Sequence, residues 1–305
     1  MTRSARTRNV NAVSGASVPA MGIADLERRT VTALVYGVVV LAALFAPYPT
    51  FAVLVAVLAV LGYVELRALF RYRSYQPWLV GVVFVLGFVA VHAIARLEPS
   101  LATPSYLVVL TAFGIVAIVV FLAQAARGRR MPAVAGAVFT LSGAIYLGFC
   151  FGFLIDLWLA GSDGTRGWLG SLPVWLLLAL VPTWAADVTA YIVGRRIGRR
   201  RIAPRISPGK TWEGTLAGFG AAAVVVLLIA TSAGIRTGPT LFLAALVGPV
   251  GFASDLLESA IKRSAGAKDS GTLLPGHGGV LDRIDSLIFV APLVALALSL
   301  AVGMG

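Results

Sequence analysis

Between Ser259 and Asp285 the chain reads SAIKRSAGAKDSGTLLPGHGGVLDRID, which sets Lys262, Arg263, Lys268, Asp269, His277, Asp282, Arg283 and Asp285 in one short stretch. Lys and Arg can neutralise phosphates. Asp255, Asp282 and Asp285 offer hard oxygen ligands suited to Mg²⁺, which usually takes one or two carboxylates plus substrate phosphates. The two signs of charge beside apolar sequence point to a bound metal–phosphate ligand. Asp255, Glu258, Ser259 and Lys262 fall at i, i+3, i+4 and i+7, one face of a helix. Gly276, Gly278 and Gly279 around His277 allow close approach of the backbone to a ligand. His277 has neither a cysteine nor a second histidine nearby, so zinc is not expected.

A second group lies upstream, in GRRIGRRRIAPRISPGKTWEG, residues 194–214. Its arginines, Arg199 to Arg201 above all, suit anchoring against anionic lipid head groups. Ser207-Pro208-Gly209-Lys210-Thr211 reads differently, as a turn opening a helix, where N–H groups and hydroxyls suit a phosphate. The spacing of a P-loop is absent. A third group is acids inside apolar runs: Asp187, sharing a helical face with Tyr191, then Asp255 and Glu258. Carboxylates are costly at membrane depth and usually line a site or pathway.

These groups are carried by a chain of 305 residues, 59% hydrophobic and only 12% charged, with a mean hydropathy of +0.91. Apolar runs long enough to cross a bilayer recur from Thr30 onward. The expected fold is all-α, a polytopic membrane helical bundle of about nine spans. They fall at roughly 30–46, 50–66, 77–95, 104–124, 132–156, 172–193, 214–233, 240–261 and 285–303. Residues 1–29 read as a disordered cytoplasmic tail and not as a signal peptide. Residues 30–170 read as a scaffold of spans, and 171–305 as the catalytic part.

With nine spans, 22 of the 25 Lys and Arg fall on one side, which the positive-inside rule makes cytoplasmic. The N-terminus is then cytoplasmic and the C-terminus outside, and the two charged loops share the cytoplasmic face. The net charge of +12 is thereby assigned to the membrane surface, and no nucleic-acid partner is expected. Cys150 reads as a small buried hydrophobe, and His92 as an interfacial polar residue.

The pattern S-x-x-K-R-x4-K-D followed by P-x-H-G-G-x-x-D-R-x-D resembles the signature of the phosphatidate cytidylyltransferases, or CDP-diacylglycerol synthases. Ser259, Lys262, Arg263, Lys268, Asp269, Pro275, His277, Gly278, Gly279, Asp282, Arg283 and Asp285 occupy its fixed positions. Asp187, Ala190, Tyr191, Gly194, Ser207-Pro208, Lys210-Thr211 and Glu213-Gly214 also look like that family. The likeness is strong over residues 180–290; the earlier half matches only in being hydrophobic.

The resemblance implies a nucleotidyltransferase of phospholipid biosynthesis in the cell membrane. It would move CMP from CTP to phosphatidic acid, giving CDP-diacylglycerol and pyrophosphate. It implies Mg²⁺, with a second cation such as K⁺, and Asp255 and Asp282 as metal ligands. Lys262, Arg263, Lys268 and Lys210 would hold phosphates, Ser207 and Thr211 would donate hydrogen bonds, and His277 joins the catalytic set. Asp187, Tyr191, Glu258, Ser259, Gly278 and Gly279 would line the substrate site, with Asp269, Arg283 and Asp285 fixing its loop. The implied partners are CTP, phosphatidic acid and membrane lipid, and a homodimer stays open. Two rivals are a CTP-dependent lipid-alcohol kinase and a cation-coupled transporter. The complete signature argues against the first. Against the second stand acids gathered at one face and the lack of an internal repeat.

Overall fold

The computed structural model describes residues 35, 37–40, 42–70, 76–97, 100, 102–126, 131–160, 172–274 and 278–303. The first helices are α1 (Tyr48–Leu69), α2 (Trp78–Leu97), α3 (Ala102–Ala126) and α4 (Met131–Ala144). A π-turn, Ile145–Cys150, joins α4 to α5 (Phe151–Ala160). Then follow α6 (Val174–Ile197), a hairpin of β1 (Arg201–Ala203) and β2 (Ser207–Thr211), α7 (Trp212–Ser232), α8 (Thr237–Ser264) and α9 (Leu281–Gly303).

Six helical stretches are long and apolar enough to cross a membrane: Tyr48–Leu69, Val134–Ala160, Val174–Ile197, Trp212–Ser232, Thr237–Ser264 and Leu281–Ala301. They coincide with six of the nine expected spans. The spans expected at 77–95 and 104–124 are helices with shorter apolar stretches, Trp78–Ile94 and Leu107–Val120. The tail expected at 1–29 lies wholly outside the described residues, and the span expected at 30–46 lies partly outside them; its described residues 35, 37–40 and 42–45 are helical. Large apolar side chains such as Val53, Val57 and Val64 on α1 point outward, as a lipid-facing surface requires. The chain is a multi-pass helical membrane protein.

Three features position the site. First, α6 and α7 pack at backbone distance because small residues line their seam. A Cβ on Gly214 would lie 2.5 Å from the Ala190 carbonyl oxygen, and one on Gly218 2.8 Å from that of Ala186. Second, Ser207–Thr211, expected as a turn, is a strand. It pairs antiparallel with β1, Arg201 opposite Thr211 and Ala203 opposite Ser207. The turn lies earlier, at Pro204 and Arg205, closed by Ile206 N–H donating to Ala203 O at 3.1 Å. Proline suits the second position of such a turn, and Pro208 is tolerated because a two-stranded hairpin has only edge strands. Third, α9 begins at Leu281, a turn before the expected span, so Asp282, Arg283 and Asp285 are helical residues.

His92, expected at the interface, is fully buried. Its Nδ1 lies 2.8 Å from Asp156 Oδ2, and its Nε2 3.1 Å from Phe149 O within the π-turn. A π-turn displaces carbonyls from the regular ladder, and His92 takes one of them. The pair ties α2 to α5 inside the bundle. Cys150, in the same turn, is half-buried and packed against the core.

Candidate active site between α6, α8 and α9

The β-hairpin is clamped to the helices on both sides. Thr211 caps α7, its Oγ1 accepting the Gly214 N–H at 3.2 Å. Glu213 Oε2 accepts the N–H groups of Arg199 and Arg200 at 3.0 and 3.4 Å, which fixes the turn carrying the arginine run. Arg263, at the end of α8, donates from Nε to Ile206 O at 3.2 Å and from Nη1 to Ala267 O at 2.9 Å. It thereby joins the hairpin to the loop after α8. Expected as a phosphate cation, Arg263 has two of its five N–H groups engaged in this joint.

With the hairpin held there, Lys210 reaches α8. Its Nζ lies 2.6 Å from Asp255 Oδ2 and 4.5 Å from the centre of the Phe252 ring. Ser259, one turn along α8, donates to Asp255 Oδ1 at 3.3 Å. Lys210, Phe252 and Asp255 stand at a cavity of about 340 Å³ lined by α6, β2, α7 and α8, and Ser259, expected in the substrate site, touches it only through Asp255. Asp187, Tyr191, Ser207, Lys210, Thr211 and Asp255 all line it. Six residues expected from sequence alone thus share one space, although they span residues 187 to 255. The Tyr191 hydroxyl also accepts from Arg195 at 3.0 Å.

The first turn of α9 forms the adjoining part. Asp282 Oδ1 lies 2.6 Å from Lys262 Nζ, which also stands 2.9 Å from Glu258 Oε1. Asp282 Oδ2 accepts the N–H groups of Ser270 and Gly279, each at 2.8 Å. Both oxygens of the expected metal ligand are therefore engaged by protein donors. Glu258 is fully buried, and neither of its oxygens has an aligned donor among the described residues. The close Lys262–Glu258 contact is an ion pair without hydrogen-bond geometry. The buried Tyr146 hydroxyl, from the π-turn, has no aligned hydrogen-bond partner among the described residues and feels the charges of Glu258 and Asp285. Ser254 also donates to the Asp285 carbonyl, which ties α8 to α9.

The acids form a connected field. Asp187 and Asp285 each sense Asp255 and one another, and Glu258 senses Asp282 and Asp285. Three helices thus turn negative charge toward one region, with Lys210 and Lys262 set into it. Among the described residues no three of these acids form a ready-made metal cage.

The glycines expected to approach a ligand approach carboxylates of the protein itself. Gly278 has φ +82, and a Cβ there would lie 2.5 Å from Asp282 Oδ2. A Cβ on Gly279 would collide with Glu65 Oε2 and Ser270 Oγ. Lys268 and Asp269 are exposed on the loop before them. His277, with Pro275 and Gly276, lies outside the described residues.

Glu65, on α1, is a site residue that the sequence reasoning missed. Its Oε1 accepts the Val280 N–H at 3.0 Å and its Oε2 the Leu281 N–H at 2.9 Å. The Ser270 hydroxyl lies 2.9 Å from both Glu65 Oε2 and Asp282 Oδ2 and can donate to one at a time. The first N–H groups of a helix have no partner within it and carry its positive end. Glu65 supplies that partner. Glu65 falls inside the span expected at 50–66 but at its end, two residues before Arg67, where the rule that marked Asp187 and Asp255 does not separate a site residue from an interfacial anchor.

Curated proteins similar to the chain include a phosphatidate cytidylyltransferase of Brucella abortus biovar 1 (strain 9-941), 40% identical over 179 residues, 58% of this chain and 60% of that protein. A phosphatidate cytidylyltransferase of Bacillus subtilis (strain 168) is 38% identical over 160 residues, 52% of this chain and 56% of that one. The uncharacterized protein YnbB of Escherichia coli (strain K12) is 46% identical over 136 residues, 44% of this chain and 45% of that one. The chain thus spans about half the length of the curated relatives it matches. The match to the model of the cytidylyltransferase family is longer, running through residues 27–301. It takes in Glu65 as well as the acids of α6, α8 and α9, and on that match the chain belongs to the cytidylyltransferase family.

Proposed function

We propose that the chain transfers CMP from CTP to phosphatidic acid, giving CDP-diacylglycerol and pyrophosphate at the membrane boundary. The observation that carries this reading is the 2.6 Å contact of Lys210 with Asp255 on the wall of the 340 Å³ cavity. Cation, carboxylates and hydroxyls meet there from elements remote in sequence. That is the donor and acceptor set a triphosphate needs. Similarity to proteins named phosphatidate cytidylyltransferase supports the same activity.

In the proposed reaction a phosphate oxygen of phosphatidic acid attacks the α-phosphorus of CTP. The new P–O bond forms as the bond to the β-phosphate oxygen breaks, and pyrophosphate departs with the electron pair. The nucleophile is already anionic near neutral pH, so no histidine–carboxylate base is needed. The demand falls on positioning and charge. Lys210, Ser207 and Thr211 would face phosphate oxygens across the cavity. Thr211 keeps its own hydroxyl hydrogen while accepting from Gly214. Lys262 holds Asp282, and through it the N–H groups of Ser270 and Gly279, so the first turn of α9 is set before substrate arrives. Arg263, at the joint between hairpin and loop, and Lys268, exposed on that loop, would serve as further cations.

The acids fit a divalent cation. Asp187, Asp255 and Asp285 repel one another, and the buried Glu258 carboxylate lacks an aligned donor. Asp255 would hold Mg²⁺ on exchanging its Lys210 contact for the metal as Lys210 turns to phosphate, with Asp187 and Asp285 at hand; Asp282 could join only by releasing Lys262. A second cation such as K⁺ would answer the remaining negative charge. Bound Mg²⁺ would neutralise the triphosphate and stabilise the charge gathering on the leaving pyrophosphate.

The test is a product assay. Membranes holding the chain, given labelled CTP, phosphatidic acid and Mg²⁺, should form labelled CDP-diacylglycerol, and chelation should stop it. Formation of CDP and a phosphorylated alcohol would overturn the reading in favour of a kinase.

A further inference from the structure

A second cavity, of about 380 Å³, lies on the other side of α9 from Asp282. Val35, Val39, Val40, Ala43 and Leu44, with α1, α5, α6, Leu274 and the start of α9, enclose it, and its walls are apolar but for Arg283. On α1 it touches Phe51, Leu54, Val55 and Leu58. At 1.5 Å per residue these lie about 10–21 Å along the helix from Glu65. The hydrocarbon half of a bilayer is about 15 Å deep, half of its roughly 30 Å core. The cavity therefore runs from the level of the site into acyl-chain depth. Val35 and Val39, at its edge, are 58% and 45% exposed, so that edge faces lipid.

Arg283 gives the cavity a polar end. It is exposed, and its guanidinium makes no ion pair or hydrogen bond to a described residue. Its charge nevertheless acts on Asp187, which lines the polar cavity. Arg283 thus lines the apolar cavity while its charge acts on an acid of the polar one. An uncompensated guanidinium is a fork matched to phosphate, and long basic side chains keep apolar stems in such surroundings.

We propose that this apolar cavity receives one acyl chain of phosphatidic acid, while Arg283 holds the phosphate of that lipid facing the polar cavity. The assignment rests on the cytidylyl-transfer reading above and adds where the lipid substrate lies. Charge complementarity selects an anionic lipid, and continuity through Arg283 links the lipid to the nucleotide site. The phosphate monoester would then stand between the two cavities, with CTP on the Lys210 side.

The test uses the full chain in detergent or nanodiscs. Ala43→Phe and Leu54→Trp fill the cavity, and Arg283→Ala removes its cation. Each filling variant should raise KM for dioleoyl phosphatidic acid relative to the dihexanoyl form by tenfold or more, with KM for CTP within about twofold. Arg283→Ala should raise KM for both lipids. Equal losses for both chain lengths in the filling variants, or no loss, would overturn the proposal. Independently of turnover, the wild-type chain should retain dioleoyl phosphatidic acid over phosphatidylcholine in native mass spectrometry, and the filling variants should lose it. Equal retention of the two lipids would mean bulk lipid fills the cavity and would also overturn it. Selective retention without CDP-diacylglycerol formation would instead count against the activity while leaving the lipid site standing.

Discussion

Glu65 Oε2 accepts the Leu281 N–H at 2.9 Å, across 216 positions of sequence. With the Val280 N–H on its other oxygen, Glu65 fixes where α9 begins. That start sets Asp282, one residue on, against Lys262. The first half of the chain therefore places a part of the site as well as shielding it from lipid. Hydrogen bonds to a charged partner contribute about 1.5–3 kcal/mol each. Glu65→Ala should lower the melting temperature in detergent and reduce CDP-diacylglycerol formation at least tenfold. Glu65→Gln keeps one acceptor and should fall between. Wild-type turnover in Glu65→Ala would remove this residue from the placement of α9.

Asp282→Asn tests the neighbouring carboxylate. Its Oδ1 faces the Lys262 ammonium and its Oδ2 faces two N–H groups. An amide must turn its own donors toward one of these sets, so either Lys262 or the N–H groups of Ser270 and Gly279 lose their acceptor. Turnover should fall by about two orders of magnitude or more while the protein still inserts and elutes as a single species. Near-normal turnover would take Asp282 out of the site.

Glycines give a paired prediction from geometry. Gly279→Ala drives a methyl group into Glu65 and Ser270 and should lower both the melting temperature and the turnover. Gly220, on α7, has nothing within 4 Å of its would-be Cβ. Gly220→Ala should be neutral or stabilise by up to about 1 kcal/mol, since glycine is a poor helix former. Thermal melts of the two variants should move differently, and a matching loss in both would show that the packing around Gly279 is not the cause.

Much of this arrangement is legible in the sequence, for a physical reason. In an apolar chain each charge within a span carries a cost, so Asp187, Asp255, Glu258 and the basic loops stand out. Helical spacing alone places Asp255 and Lys262 on one face. Pairing across the chain is not legible in the same way. Glu65 stands two residues before Arg67 near a span end, where a charge passes for an interfacial anchor. The His92–Asp156 pair is hidden similarly, because no local spacing shows that α2 and α5 face each other. The β-hairpin is not legible: Pro204 in the Ala203–Ile206 turn is a single local sign, and the cluster of Ser, Gly and Thr after it reads as a turn in its own right. The role of Gly278 and Gly279 was legible only in part. Their need for space follows from their type, whereas the carboxylates filling that space come from other elements.

Lys210 and Arg200 separate substrate contact from membrane anchoring within one basic loop. Lys210 stands in the polar cavity, 2.6 Å from Asp255, held by a strand that Arg263 and Thr211 fix in place. Arg200 is exposed and takes part in the site through its backbone, its N–H given to Glu213 and its carbonyl accepting the Trp212 N–H at 2.9 Å. Replacing its side chain leaves both bonds intact. Lys210→Ala should therefore raise KM for CTP and reduce turnover by at least about 30-fold, about 2 kcal/mol at 1.4 kcal/mol per tenfold. Arg200→Ala should stay within about threefold in neutral lipid and weaken only with the anionic lipid content of the vesicle, since its charge acts on the surface. Steady-state assays at two contents of anionic lipid distinguish the two. Equal losses at both contents for both variants would mean that the whole basic run touches the nucleotide.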